Sequence, residues 1–505
     1  LNRVLEQCGP GESWHSNEKK MKTKYLSNDQ SKYKCIWYRA DDADRTSTSI
    51  TINSTNIYYG SNQLFVTQTI DEDDKGEIFV FKDKQGQLVL TRQINGTDTL
   101  DTNYVYDAFG NLRVVLPPLA SKAIKTAGTH LETATALAQY AYYYKYDSHN
   151  RCTGKKLPSA GWSTYIYDKA DKLIFSQDAE QAKRPTKQWT FYLYDNFNRL
   201  VMQGTCKSVA ESNIPNMLVT TSFTPSNTGI ESSGYTSNYG ATADTVHIIN
   251  YYDDYRFRKL TGFTGNSNFP DSVASARGLL TANITRVLNS NKKLYAAHYY
   301  DKRGNEVKTV STNHLEGYDK TTTTYSFTQK PLTMKLEHGK TATITHVQEY
   351  KYDYDHMDRL ITIEHKITGS NNFVTLARYE YDDLGRMKTK KLHGSSSTNN
   401  VQNYAYNVRS WTTDITGGRF NQHLFYNTSA ANPRWNGNIG SMTWKVATET
   451  ATRGYKFTCD SLNRLISAVY GETDAISGTN KYGENIAYDW HGNITSFKRY
   501  GNTTG

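Results

Sequence analysis

The side chains with the clearest capacity for chemistry are aspartates that follow a Tyr-x-Tyr pair. Full copies are Tyr104-Val105-Tyr106-Asp107, Tyr144-Lys145-Tyr146-Asp147, Tyr165-Ile166-Tyr167-Asp168, Tyr192-Leu193-Tyr194-Asp195, Tyr352-Asp353-Tyr354-Asp355 and Tyr379-Glu380-Tyr381-Asp382. A positioned carboxylate is a general acid or base, and two across a cleft hydrolyse glycosidic bonds. The same carboxylate can instead accept backbone N–H groups just ahead of it and open a turn. Recurrence decides between these readings. An active site uses one or two such acids, whereas a turn needs one in every repeat. Degenerate copies extend the series, at Tyr299-Tyr300-Asp301, Phe457-Thr458-Cys459-Asp460 and Tyr488-Asp489, with weaker ones at Tyr252-Asp253 and Tyr404-Ala405-Tyr406-Asn407. Phe79-Val80-Phe81 reads as an eroded copy. The aspartates are therefore expected to be turn residues.

The residues around each aspartate specify a hairpin. Tyr-x-Tyr places both rings on one face of a strand, because side chains alternate with period two. Gly110, Asn198, Gly385, Asn463 and Gly492 follow three residues after the aspartate, where a hairpin loop needs positive φ. A basic residue or Asn and then an aliphatic residue come next, as in Arg199-Leu200, Arg359-Leu360, Arg386-Met387 and Arg464-Leu465. These begin the return strand, with the arginine free to pair across its own turn or with a neighbouring hairpin. Hairpins repeated in series make one long sheet.

Composition agrees. The chain has 505 residues, with 39 Tyr against 17 Phe and only 10 Pro. Mean hydropathy is −0.71, low for a globular enzyme, yet aromatic content is 13%, too high for a disordered chain. The net charge of +10 comes from 59 basic against 49 acidic residues spread singly along the chain. That describes a mixed surface and predicts no specific nucleic-acid partner. Neither the P-loop and dinucleotide fingerprints nor the H-x-H, H-E-x-x-H and Gly-x-Ser-x-Gly motifs occur, so no catalytic, cofactor or metal residue is expected. The five cysteines form no CxxC pair; a Cys8–Cys35 bridge is open on sequence grounds. No run of about 18 apolar residues suggests a transmembrane helix.

Other segments interrupt the repeats. Residues 1–75 read as a partial repeat followed by a polar segment with strands at Ser49–Ile52 and Leu64–Ile70. Residues 76–505 read as the repeat sheet, with excursions near 119–141, 208–246 and 265–280. Leu131, Ala134 and Leu137 have helical spacing, predicting one exposed helix over 121–140. The polar excursions are where binding would be grafted. Trp162, Trp189, Trp411, Trp435, Trp444 and Trp490 are read as packing residues rather than sugar platforms.

Tyr-Asp followed by Gly-Arg or Asn-Arg and Leu resembles the YD-repeat of the Rhs (rearrangement hotspot) proteins, over essentially the whole chain. Leu1-Asn2-Arg3-Val4, Pro10-Gly11-Glu12-Ser13-Trp14, Val115-Leu116-Pro117-Pro118, Lys155-Lys156-Leu157-Pro158 and Ser176-Gln177-Asp178 make it most similar to the Bacteroidetes branch. The resemblance implies an all-β fold in which stacked hairpins spiral into a shell, as in toxin-complex proteins and teneurins. In the toxin branch that shell encloses a C-terminal toxin released by autoproteolysis. Leu1-Asn2-Arg3-Val4 matches Leu462-Asn463-Arg464-Leu465, and no autoprotease segment precedes Gly505, so a fragment with a partial shell is expected.

Three functions follow as expectations. The first is a non-catalytic shell of a secreted or cell-surface bacterial protein, its partner its own C-terminal cargo domain. The second is an adhesin scaffold binding a surface glycan or protein. The third, a glycan-active enzyme, requires two carboxylates facing one cleft.

Overall fold

The computed structural model describes every residue except 1, 2, 30, 32, 42, 43, 208, 210, 227, 228, 240, 241, 273, 274, 342, 394–399, 430, 431, 473–480 and 503–505. Among the described residues there are 36 strands, and 31 of them join one antiparallel sheet. Three others, Tyr38–Ala40, Ile50–Ile52 and Gly128–His130, form a small sheet, and Thr221–Phe223 pairs with Tyr235–Ser237. The helices are short, the longest being Pro118–Ala123 and Thr135–Tyr140 at six residues. The expected all-β class is what the chain adopts.

The chain divides into two compact units. One comprises Leu1–Ala160, Tyr381–Lys390 and Ser397–Gly505; the other comprises Gly161–Glu380 and Lys391–Ser396. In each, successive strands pair with their neighbours in sequence, as Gln188–Tyr194 does with Leu200–Lys207 and Arg453–Cys459 with Leu465–Glu472. Such local pairing needs no crossover connection.

In the second unit one face of the sheet is a core. Trp189, Phe191 and Leu193 alternate with the partly exposed Thr190, Tyr192 and Tyr194. The excursions cover that face. Ile214, Val219, Tyr235 and Tyr239 of 208–246, Phe269 of 265–280, and Phe257 and Phe263 between them are all buried in the same cluster. These segments, read from the sequence as polar excursions where binding would be grafted, supply the second layer that a one-sided sheet requires. Further along, the described residues of 311–376 bury no apolar side chain. Beyond Tyr318, whose ring still packs against Phe269, strands Tyr318–Tyr325, Pro331–Lys340 and Thr343–Tyr354 are thus a single layer.

In the first unit, Leu64, Val66, Phe79, Phe81, Val89 and Leu90 form a core around Cys35. The helix Glu12–Ser16, for which the sequence reading made no provision, buries Trp14 against Trp411 and Trp435, with ring centroids 5.7 and 5.3 Å away.

One expectation is corrected. The single helix over 121–140 is two, Pro118–Ala123 and Thr135–Tyr140, separated by the strand Gly128–His130. Gly128 has φ +135°, and the β-branched Thr126, Thr129 and Thr133 weaken helix between them. Ala134 is extended and Leu131 is exposed, so only Leu137 of the presumed apolar face is buried. The Cys8–Cys35 bridge left open by the sequence is not formed; all five thiols are free. Strands do occur at Ile50–Ile52 and Phe65–Ile70. Of the partial repeat at the start, Leu1 and Asn2 lie outside the described residues.

Candidate functional site

Each repeat aspartate but Asp253 sits at the first position of a five-residue turn. Asp195 Oδ1 accepts the backbone N–H groups of Phe197 (2.8 Å) and Arg199 (3.0 Å). Its Oδ2 accepts Nε of Arg199 at 2.8 Å. The N–H of Asn198 donates to the Asp195 carbonyl at 3.1 Å, and Asn198 has φ 62°. The ladder then shifts register between Leu193 and Tyr194. A type I turn closed by a left-handed residue and a bulge has this form.

The arrangement repeats closely. Backbone N–H groups two and four residues ahead converge on Oδ1 of Asp107, Asp147, Asp168, Asp355, Asp382, Asp460 and Asp489 at 2.8–3.0 Å. Nε of Arg151, Arg359, Arg386 and Arg464 closes on Oδ2 at 2.7 Å. Where the fourth residue is Asn, its amide takes that place, as Asn111 does at 3.1 Å and Asn493 at 3.0 Å. Asp168 differs, with Oδ2 receiving the N–H of Val219 at 3.1 Å. Its turn is thereby tied to the excursion beyond residue 208.

These carboxylates are saturated with donors. Burial pushes Asp147, Asp355, Asp382 and Asp489 upward, but the donors of the turn outweigh it and hold them below the ordinary carboxylate range. At Asp301 the Asn305 amide is the largest cause of the same downward shift. Such a group is a poor proton donor at neutral pH. The sign for stability follows. A depressed folded pKa contributes stability that is present above the unfolded value of about 3.9 and lost as pH falls through the folded values. We expect calorimetric melting midpoints to be level from pH 7 to 5 and to fall below about pH 4. A midpoint that held steady or rose towards pH 3 would contradict this role.

The tyrosine that ends the strand before several of these turns has a second role, one not evident from the sequence. Its hydroxyl donates to the carbonyl that opens the return strand of the preceding hairpin. Tyr146 reaches Leu112 at 3.1 Å, Tyr252 reaches Leu200 at 3.1 Å, Tyr354 reaches Pro331 at 2.9 Å, Tyr406 reaches Met387 at 2.8 Å and Tyr488 reaches Leu465 at 2.8 Å. The arginine of that preceding turn lies over the same ring. Arg199 is 4.4 Å from the centroid of Tyr252, Arg386 is 4.7 Å from Tyr406 and Arg464 is 4.6 Å from Tyr488. Burial raises the Tyr146 phenol to about 12, so it stays protonated and donating. The selection of Tyr over Phe beside most of these aspartates was the signal. Tyr488→Phe should cost about 1 kcal/mol, the net worth of one hydrogen bond with its acceptor left unpaired. An unchanged denaturation midpoint would count against the tether.

The repeat aspartates are not gathered at one place. The others each cap their own turn, whereas Asp253 accepts the Gly278 N–H at 2.7 Å and the Nη atoms of Arg199 at 2.8 and 2.6 Å, which joins it to Asp195. The first-position tyrosines Tyr104, Tyr144, Tyr165, Tyr192 and Tyr352, with Tyr379 and Tyr381 at the end of Val374–Tyr381, lie on the strand arms. Tyr106, Tyr167 and Tyr194 take the second position, each at a register shift. The turn geometry also recurs where no Tyr-x-Tyr-Asp is written. Asp83 caps Gln85 and Gln87, Asn407 caps Arg409 and Trp411, and Asn313 caps Leu315 and Gly317. No group of three His, Cys, Asp or Glu is placed to hold a metal ion among the described residues. No helix among them is long and apolar enough to cross a membrane.

An open cleft of about 680 Å³ lies in the second unit. Its floor is the polar face of three strands, carrying Gln188, Thr190, Gln203, Thr205, Thr245 and His247. The helix Ala179–Lys183 and the turn 287–291 border it. Hydroxyls, amides and one imidazole can exchange hydrogen bonds with a polar ligand. The one carboxylate in its lining, Asp178, caps the helix by accepting the Gln181 N–H at 2.7 Å.

No protein-family model matches the chain, and no curated protein matches it. Solved structures do. A crystal structure of TcdB2-TccC3 matches with 13% identity and a TM-score of 0.31, covering 96% of this chain and 29% of that one. The same pair without its hypervariable C-terminal region matches with 12% identity and a TM-score of 0.35, covering 94% and 26%. The Photorhabdus luminescens Tc holotoxin pore matches with 12% identity and a TM-score of 0.35, covering 93% and 25%. The chain thus spans between a quarter and a third of the length of these solved chains.

Proposed function

We propose that this chain is a non-catalytic β-sheet scaffold that holds another polypeptide, as the resemblance to toxin-encapsulating YD-repeat proteins implies. The supporting observation is the single-layer run of strands between Tyr318 and Leu376. A sheet is stable in water when one face is covered, and this run leaves Ile367 and Val374 half exposed. Its tyrosines and threonines suit a surface that is wet on one side and contacted on the other. The repeat carboxylates are consumed by turns, which leaves them structural. In this reading the occupant is the protein's own C-terminal cargo domain, and the whole is secreted or displayed by a bacterium.

The test is protection in trans. The polypeptide encoded downstream of residue 505 is co-expressed with this chain and treated with a nonspecific protease. Survival of the downstream segment only in the presence of the chain supports the proposal. Equal digestion with and without it, or the lack of any downstream coding segment, defeats it.

The polar cleft beside Ala179–Lys183 favours a second reading, a surface scaffold that binds a glycan. On a glycan array, binding that is lost in Gln203→Ala would support it. Binding that persists in that variant, or none at all, would remove it. Deleting 208–244 is not a useful control, because Ile214, Val219, Tyr235 and Tyr239 are core residues.

A further inference from the structure

A second cleft, of about 400 Å³, lies wholly within the first unit. Its floor comes from the strands Leu88–Asn95 and Asp98–Tyr106, and its rim from the helix Pro118–Ala123 and the tip of the hairpin at Trp490. Four cations line it, Lys34, Arg92, Lys122 and Lys125, against the single carboxylate of Asp101. The surplus is 4 − 1 = 3 positive charges.

The floor is internally satisfied. Arg92 clamps Asp101 through two bonds of 2.7 and 2.8 Å. Asn103 donates to Ser121 at 2.9 Å, and Ser121 donates to the Leu116 carbonyl at 2.7 Å. The three lysines differ. Each is exposed, and none has a carboxylate partner among the described residues. Instead Lys122 lies 3.8 Å from the Trp490 ring centroid and Lys34 lies 5.4 Å from that of Tyr58. Like charges held around one concavity repel each other and are relieved by a bound anion. Lysine in particular meets sulfate or carboxylate as a point charge.

We propose that this cleft binds an anionic saccharide, a sugar unit carrying sulfate or carboxylate. The lysines would take the charged substituents, and the rings of Trp490 and Tyr58 would flank the C–H faces of the sugar. The cleft is at the small end of ligand sites, which fits one or two sugar units. A single-stranded nucleic acid needs a basic groove that tracks several phosphates with rings spaced along it, and this concavity is compact. The inference does not rest on the cargo reading and survives its failure.

The test is isothermal titration of the chain with a heparin-derived sulfated disaccharide, digalacturonate, neutral cellobiose, inorganic sulfate and a short oligothymidylate. Binding of one of the two acidic disaccharides, stronger than inorganic sulfate and absent for cellobiose, is expected. Lys122→Gln/Lys125→Gln should weaken it by on the order of tenfold, while Lys302→Gln, at an exposed turn of the other unit, should leave it unchanged. Trp490→Phe should abolish the ligand-induced change in tryptophan fluorescence. Circular dichroism confirms that the exposed-lysine variants stay folded. The proposal falls if neither acidic sugar binds, if Lys302→Gln weakens binding as much, or if sulfate binds equally well. It also falls if oligothymidylate binds more tightly with the same lysine dependence.

Discussion

Replacing Asp107 with Ala lowers the stability of the first unit by about 3–5 kcal/mol. The size follows from burial. Asp107 and Arg113 are both buried, with Arg113 Nη1 3.7 Å from Asp107 Oδ2. Arg113 also donates to the carbonyls of Asp41 and Asp44, each at 3.2 Å, and to that of Ser47. The pair therefore ties a turn to the 41–47 segment. Without Asp107, a buried guanidinium loses its counter-charge and the N–H groups of Phe109 and Asn111 lose their acceptor. Adding Arg113→Met to Asp107→Ala should cost less than the sum of the single changes, because the charge left stranded by the first is removed by the second. Asp355→Ala, at a more exposed turn, should cost markedly less. Denaturation midpoints for the four proteins check this. Strict additivity, or an equal loss at Asp355, would show that turn capping alone accounts for the effect.

What was legible in the sequence was whatever is written locally. An aspartate, a left-handed residue three positions on and an Arg or Asn one further are within five residues, so the turn can be read from the chain alone. Asp83 and Asn407 make the same turn with poorer versions of the motif. The tyrosine tether was harder to read, because its acceptor lies in the preceding hairpin. The distance is 19 residues from Met387 to Tyr406 and 52 from Leu200 to Tyr252, so no fixed spacing marks it. The excursions were misjudged for a related reason. Their Ser, Thr and Asn content marked them as excursions where binding would be grafted, yet a few apolar residues such as Ile214, Tyr235 and Phe269 suffice to roof the sheet. Composition averages over a segment, whereas burial is decided by the few residues that point inward. The lysine-rich cleft had no local sign at all. Lys34, Arg92, Lys122 and Trp490 meet only after the sheet has formed.

Long-range closure of the first unit rests on one side chain more than any other, and Trp14→Ala should cost about 3–5 kcal/mol. Trp14 is 2% exposed. It packs edge-on against Trp411 and Trp435, and its Nε1 donates to the Trp435 carbonyl at 2.9 Å across 421 residues of sequence. The Arg409 guanidinium lies 4.3 Å from its ring centroid. The neighbouring seam is polar. Asp73 and Arg434 are buried together at 3.5 Å, Asn436 donates to Asp71 at 3.0 Å, and the N–H of Gly76 donates to the Ser461 carbonyl at 2.8 Å. Burial pushes the Asp73 carboxyl upward, against the pull of the Trp435 N–H and Arg434. Polar contacts of this kind fix register but add little net stability once water can reach them, so the tryptophan cluster carries the closure. Removing its central ring admits water to the seam. Amide exchange should accelerate in Glu12–Ser16, Thr412–Gly417 and Phe420–Phe425, while Gln188–Tyr194 in the other unit keeps its protection. Uniform acceleration through both units would mean that Trp14 supports the whole chain, and no change at Thr412–Gly417 would mean that the polar seam holds the segments without it.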